Sequence, residues 1–189
     1  MAGGGALVGL FGVAGCSDGT GAANGRTGAT ATAAPSAGQP GFFGGTDLAW
    51  VEINIAMNEQ LLPLLALAPS KASEAGVKAY AGQVDAFSEQ ELATLRRLHD
   101  QAKLPSENPH EGMPMPGMVT SEQLAQAKAA AGAAFDKLLL QHLRAHLEQG
   151  TSLAKSEEKA GVEPQTLALA KQVLTNRAAA LKQLDAMTA

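Results

Sequence analysis

The sequence predicts an all-α protein whose folded part is an antiparallel four-helix bundle. Three observations carry this. Beyond Thr46, apolar residues recur three, four or seven positions apart, the repeat of one helix face, with no alternating strand pattern in competition. Proline, glycine and small polar residues stand where these runs stop and start. The connections between runs are mostly short, which favours antiparallel neighbours.

The 189 residues divide into two regimes: the first 45 hold most of the glycine, and almost all charge lies from Asp47 onward. Residues 6–15 (ALVGLFGVAG) form an apolar run too short to span a bilayer as a helix, which takes about 20 residues, but suited to the h-region of a signal peptide. It leads into Val13-Ala14-Gly15-Cys16, which resembles a bacterial lipobox, although residues 1–15 carry no Lys or Arg. The single cysteine cannot form an internal disulfide. The expectation is a signal peptide with lipobox over 1–16, lipidation at Cys16, and an extracytoplasmic protein anchored to the bacterial cell membrane by several acyl chains. Residues 17–45, rich in Gly, Ala and Thr, bury too little apolar surface to offset their ordering entropy and read as a tether, with Phe42 and Phe43 placed to dock on the domain.

The domain, 46–189, begins with Thr46 as a candidate N-cap and Asp47 in the first turn. Leu48, Val51, Ile55, Leu62 and Leu65 give the first helix its apolar face, with a kink expected at Pro63. A second helix is expected after Pro69-Ser70, Ser70 capping it, with Val77, Tyr80, Val84, Leu92, Leu95 and Leu98 inward and its end before Pro105. Residues 120–123 (TSEQ) have the form of a capping box and open the third run. Phe135, Leu139, Leu143 and Leu147 mark its stripe, and the AAAGAA before Phe135 is a point of breakage or close packing. Gly161 stops that run, Pro164 suits a first helical turn, and Leu167, Ala170, Leu174, Leu181 and Leu184 define the last helix.

Chemistry concentrates between the second and third runs. PHEGMPMPGM, residues 109–118, holds three of the six methionines. Thioether sulfur is soft and selects Cu(I) over zinc, calcium or magnesium. His110, Met113, Met115 and Met118 are therefore candidate ligands, with Pro114 and Pro116 limiting the backbone entropy lost on wrapping an ion. His142 and His146 are spaced i, i+4, on one helix face and inside the apolar stripe, where each imidazole needs a partner. The competing reading makes the methionines adaptable packing filler and the histidines hydrogen-bonded bystanders. A net charge of −4 gives no attraction for nucleic acid. No Gly-rich phosphate loop, Cys-x-x-Cys, nucleophile elbow or triad spacing is present, so no enzyme activity is expected. The one Glu-x-x-His, Glu107 to His110, lies in a proline-broken loop, which argues against a di-iron centre.

Residues 116–150 (PGMVTSEQLAQAKAAAGAAFDKLLLQHLRAHLEQG) are similar to the second half of the bacterial domain-of-unknown-function family 305, in the Met115-Pro116-Gly117-Met118 turn, the Phe135-Asp136 pair and a later histidine pair of which His146 keeps one member. Residues 47–68 resemble that family's opening helix, with Met57-Asn58 where a second histidine pair would fall. Residues 71–98 look more like the related family 4142, lacking its histidine near Ser88. The resemblance implies a ferritin-like four-helix fold, export or lipid anchoring, and an association with copper. It adds Met57 as a soft donor in place of a histidine. The expected function is a lipid-anchored protein that buffers or hands over Cu(I). The alternative is a surface lipoprotein with no metal, acting as a structural or partner-binding module.

Overall fold

A computed structural model describes residues 38–188. The expected signal peptide, Cys16, and the tether as far as residue 37 lie outside the described residues. Among the described residues the chain is all-helical, with no strand: α1 (Gly45–Leu65), α2 (Ala68–Lys71), α3 (Ala75–Ala102), α4 (Ser121–Ala129), α5 (Gly132–Ala160) and α6 (Pro164–Thr188). The long helices α1, α3, α5 and α6 carry the packing, α1 lying against α3 and α5, and α6 against α5 and α3.

Cross-helix bonds fix the directions. Tyr80 donates to the Ala180 carbonyl at 3.1 Å, Arg177 to Glu91 at 2.8 Å, and Gln165 to Gln101 at 3.1 Å, so α3 and α6 run antiparallel. The start of α1 meets the end of α5, where Asp47 accepts from Val162 N–H at 3.0 Å, while Asp136 near the start of α5 meets Ser73 beyond the end of α1. One apolar cluster joins Leu61, Leu64, Tyr80, Phe135, Leu143 and Leu184, and a second joins Trp50, Val51, Leu95, Ala154, Leu169 and Val173. Each fully buried leucine contributes roughly 1.5–3 kcal/mol from water exclusion.

The helix ends differ from the local reading. Gly44, not Thr46, is the N-cap of α1; the Asp47 carboxylate accepts its N–H at 2.6 Å, and Thr46 lies inside the first turn. Pro63 sits in the last turn, and the helix ends two residues later. Ser70 is not a cap either: it belongs to α2, and α3 starts after Glu74. Its entrance is held by Asp136, which accepts from Ser73 N–H and Oγ–H and from Glu74 N–H at 2.5–3.2 Å. At α3 a long-range carboxylate does what a local serine or threonine does in a self-capped helix.

Other signals hold. Thr120 accepts from Gln123 N–H at 3.2 Å and Gln123 accepts from Thr120 N–H at 2.9 Å, completing the capping box. The third run breaks at the Ala/Gly stretch, where α4 ends and Gly132, at φ +62°, opens α5. Lys71 donates to the Lys128 and Ala130 carbonyls at 2.6 and 3.0 Å, satisfying the end of α4. Pro164 is the first residue of α6, and the Glu163 carboxylate accepts from Thr166 N–H at 2.9 Å. Phe43 packs on the Trp50 cluster and Gly41 N–H donates to Glu163 at 3.2 Å, so residues 41–44, read as tether, lie on the domain.

Candidate functional site

The methionine loop lies along α1. Asn108 Nδ2–H donates to the Glu52 carbonyl at 2.8 Å, pinning the loop's start, and its Oδ1 accepts from His110 N–H at 2.9 Å. Met115-Pro116-Gly117-Met118 then forms a β-turn closed by Met118 N–H to the Met115 carbonyl at 3.1 Å. Pro at the second position and Gly at the third, at φ +79°, give it type II character. A side chain on Gly117 would be strained by that φ and would also run into the Ala145 carbonyl at 2.8 Å and Gln149 Cβ at 2.6 Å. The turn brings Met115 and Met118 to neighbouring points, pressed on α5.

There they meet the methionine of α1. Met57 and Met118 are buried together with Ala56, and Met115 packs against that cluster with Ile53 and Leu153. Three thioethers from two elements thus share one patch. Beside it, Met115, Met118, Gln123, His142 and Ala145 line a cleft of about 290 Å³. His142 is half-buried, its Nε2 has no hydrogen-bond partner, and burial lowers its pKa, which favours the neutral ring with its lone pair.

The remaining candidates lie apart. Met113 is 42% exposed. His110 is half-buried in the loop's first turn, its Nδ1 without a partner, and it does not line the His142 cleft. His146, expected as a ligand, is fully buried, and each ring nitrogen lies near a partner. Its Nδ1 lies 3.3 Å from the Gly117 carbonyl, and Arg177 faces Nε2 at 3.5 Å. This assigns the proton to Nδ1, which donates to the turn. Burial first, then the Arg177 charge, lower the pKa of His146 to about 3, so the ring stays neutral. Its role is to hold Gly117 in place. His99, in the last turn of α3, has its Nε2 3.0 Å from the Pro105 carbonyl.

Beneath the cleft lies a polar centre that the sequence reading missed. Arg177 is fully buried and pairs with Glu91 through two hydrogen bonds, 2.8 and 3.0 Å, while Asn58 Nδ2–H reaches Glu91 at 3.0 Å. Its guanidinium also stacks over Phe87 at 5.7 Å, and Gly150 on α5 leaves space its side chain fills. A signal existed: Arg177 and Glu91 occupy inward positions on their stripes with opposite charge, and Gly150 is a glycine inside a helical run. Among the described residues no group of three His, Cys, Asp or Glu side chains is disposed to hold a metal. The interior carboxylate is neutralised by arginine, which does not fit a di-iron centre; the soft donors above it are a different chemistry.

The profile of the family Domain of unknown function (DUF305) matches residues 47–188. No curated protein matches the chain. Among solved structures, a DUF305 fragment from Deinococcus radiodurans superposes with a TM-score of 0.70 at 13% identity, covering 79% of this chain and 97% of that one. A DUF305 protein of Streptomyces coelicolor, thought to be secreted, gives 0.65 at 17% identity, covering 74% and 89%. At these identities the likeness speaks for the fold alone.

Proposed function

This chain belongs to the DUF305 family, and from that membership we propose that it is an exported, lipid-anchored protein that binds Cu(I) for buffering or handover. The observation that carries the reading is the convergence of Met57, Met115 and Met118 in one patch beside the unpartnered Nε2 of His142. Sulfur and neutral imidazole suit a soft monovalent ion and disfavour calcium or magnesium. The donor set is narrower than the loop suggests, because Met113 is exposed and His146 is committed to Gly117 and Arg177. The role is coordination alone, with no reaction assigned. The four long helices are read as a ferritin-like four-helix bundle whose interior charge is closed by Arg177. Among the described residues no helix is long and apolar enough to cross a membrane; in this reading the anchor is acylation of Cys16. The secreted character ascribed to the Streptomyces protein supports an extracytoplasmic setting.

The test is Cu(I) competition against a chromophoric chelator. Stoichiometric binding is expected, weakened at least about tenfold by Met115→Leu/Met118→Leu and unaffected by Met113→Leu. Absence of stoichiometric Cu(I) on the full chain ends the proposal. One observation favours a second reading, a partner-binding lipoprotein without metal: Met57 and Met118 are 1% and 4% exposed, as packing filler would be. That reading predicts that the same double variant changes stability alone.

A further inference from the structure

The loop's methionines stand at the joints of three successive turns. Met113 N–H donates to the His110 carbonyl at 3.3 Å, Met115 N–H to the Met113 carbonyl at 3.0 Å, and Met118 N–H to the Met115 carbonyl at 3.1 Å. The first and third are β-turns with glycine at the third position, Gly112 at φ +71° and Gly117 at φ +79°. The middle one is a γ-turn about Pro114, whose ring sets close to the backbone angle that such a turn needs. The ends of a β-turn lie less than about 7 Å apart at Cα, and a three-residue turn closes more tightly. Each thioether of the loop is therefore next to the one that follows.

Burial follows the same order. Met113 is exposed, Met115 is half-buried, and Met118 and Met57 are buried. Gln60 of α1 holds the loop at both ends: its amide donates to the Val119 carbonyl at 3.1 Å and accepts from Gly112 N–H at 3.0 Å. Residues 113–118 thus form a short closed loop with its first sulfur outside and its last inside. A buried thioether is a poor first contact for an ion arriving from water, because neighbouring side chains must move before a bond can form. An exposed methionine has no such obstacle, and its three rotatable bonds let the sulfur turn toward solvent or toward the next donor.

We propose that Met113 is an entry ligand, an inference that rests on the Cu(I) reading: it takes the ion from solution and passes it through Met115 to the patch of Met57, Met118 and His142. Each step is a ligand substitution. The next sulfur bonds the ion before the previous one releases it; copper stays Cu(I), and no electron or proton moves. Thioether sulfur at every station suits one soft ion throughout. Met113 then belongs to the path and not to the resting site. A ligand of that kind lowers the barrier to arrival and to departure alike, and it leaves the equilibrium untouched because it holds no ion in either end state.

The test is the rate of Cu(I) exchange between the full chain and bicinchoninate, a chromophoric chelator, followed by stopped-flow absorbance in both directions. Met113→Leu keeps the bulk and removes the sulfur. Loading and removal should slow by the same factor, at least about tenfold, with the dissociation constant within about twofold of the wild type. Met113→Gln should do the same, which separates loss of the sulfur from any effect of leucine. Met187→Leu changes the other exposed methionine among the described residues and should leave both rates as they are. Unchanged rates in the Met113 variants, with affinity intact, overturn the proposal and leave the Cu(I) reading standing. A loss of affinity with faster removal makes Met113 a resting ligand and overturns it too. A chain that takes up no Cu(I) ends both.

Discussion

Replacing Arg177 with Met removes one half of an ion pair whose side chains are 0% and 3% exposed. Glu91 would keep the single hydrogen bond from Asn58 at 3.0 Å and lose both from the guanidinium, at 2.8 and 3.0 Å. A buried carboxylate stripped of its cation costs about 3–5 kcal/mol, a large share of the roughly 5–15 kcal/mol that holds a domain together. For a domain of this size, each kcal/mol moves the melting temperature by about 2–4 °C, so a fall of roughly 10 °C is expected. Arg177→Met/Glu91→Leu removes both charges and should recover most of the loss, because a matched apolar pair is often no less stable than the ion pair it replaces. Urea and thermal unfolding followed by far-UV circular dichroism, on the wild type, the two single variants and the double, give the coupling directly. If Arg177→Met costs less than about 1 kcal/mol, or the double variant costs the sum of the singles, the pair is not the sealed charge centre described here.

Three further outcomes follow from the same geometry. Gly117→Ala must place a side chain at φ +79° against Ala145 and Gln149; it should cost about 1–3 kcal/mol and lower Cu(I) affinity, read by denaturation and chelator competition. Thr120→Ala removes the cap of α4 and should cost about 1 kcal/mol in the same denaturation assay, with Cu(I) affinity little changed. Stability should also vary with pH in two opposed ways. His146 is lowered from 6.5 to about 3, so the unfolded chain takes its proton first and stability is lost as pH falls through that interval. Glu157 is raised from 4.5 to about 7, so its contribution is full below the lower value and is lost as pH rises to the upper one. Urea midpoints across pH should therefore show a flatter acid limb in His146→Gln and a smaller decline toward neutrality in Glu157→Gln.

The helices were legible because burial imposes a period on the chain. Val77, Tyr80, Val84, Leu95 and Leu98 read as one face and are one face. The Thr120–Gln123 box was legible because a cap of that kind is written within four residues. The entrances of α1 and α3 were not: Thr46 and Ser70 are good local caps, but Asp47 and Asp136 meet those entrances, the latter from 62 or 63 positions away. The extra breaks that set off α2 and α4 were equally hidden, since propensity does not say how a proline or alanine-rich stretch divides. For the site, nearness in sequence misled. Met113 belongs to the same motif as Met115 and Met118, yet the Pro116-Gly117 turn folds the latter two onto Met57 and leaves Met113 outside. The imidazole of His146 was rightly expected to need a partner, but Arg177 lies 31 residues on, on another helix.

Asp47 belongs to the first helix yet secures the doorway of the last through Val162, Glu163 and Thr166, whereas Asp136 belongs to the fifth and secures the doorway of the third through Ser73 and Glu74. Each half of the polypeptide therefore keeps the other's latch. A chain nicked between residues 104 and 119 would leave each piece without the carboxylate that the other supplies, although α6 would keep Glu163 on Gln165 and Thr166. Packing the two halves together therefore completes the entrance of α3 and reinforces that of α6.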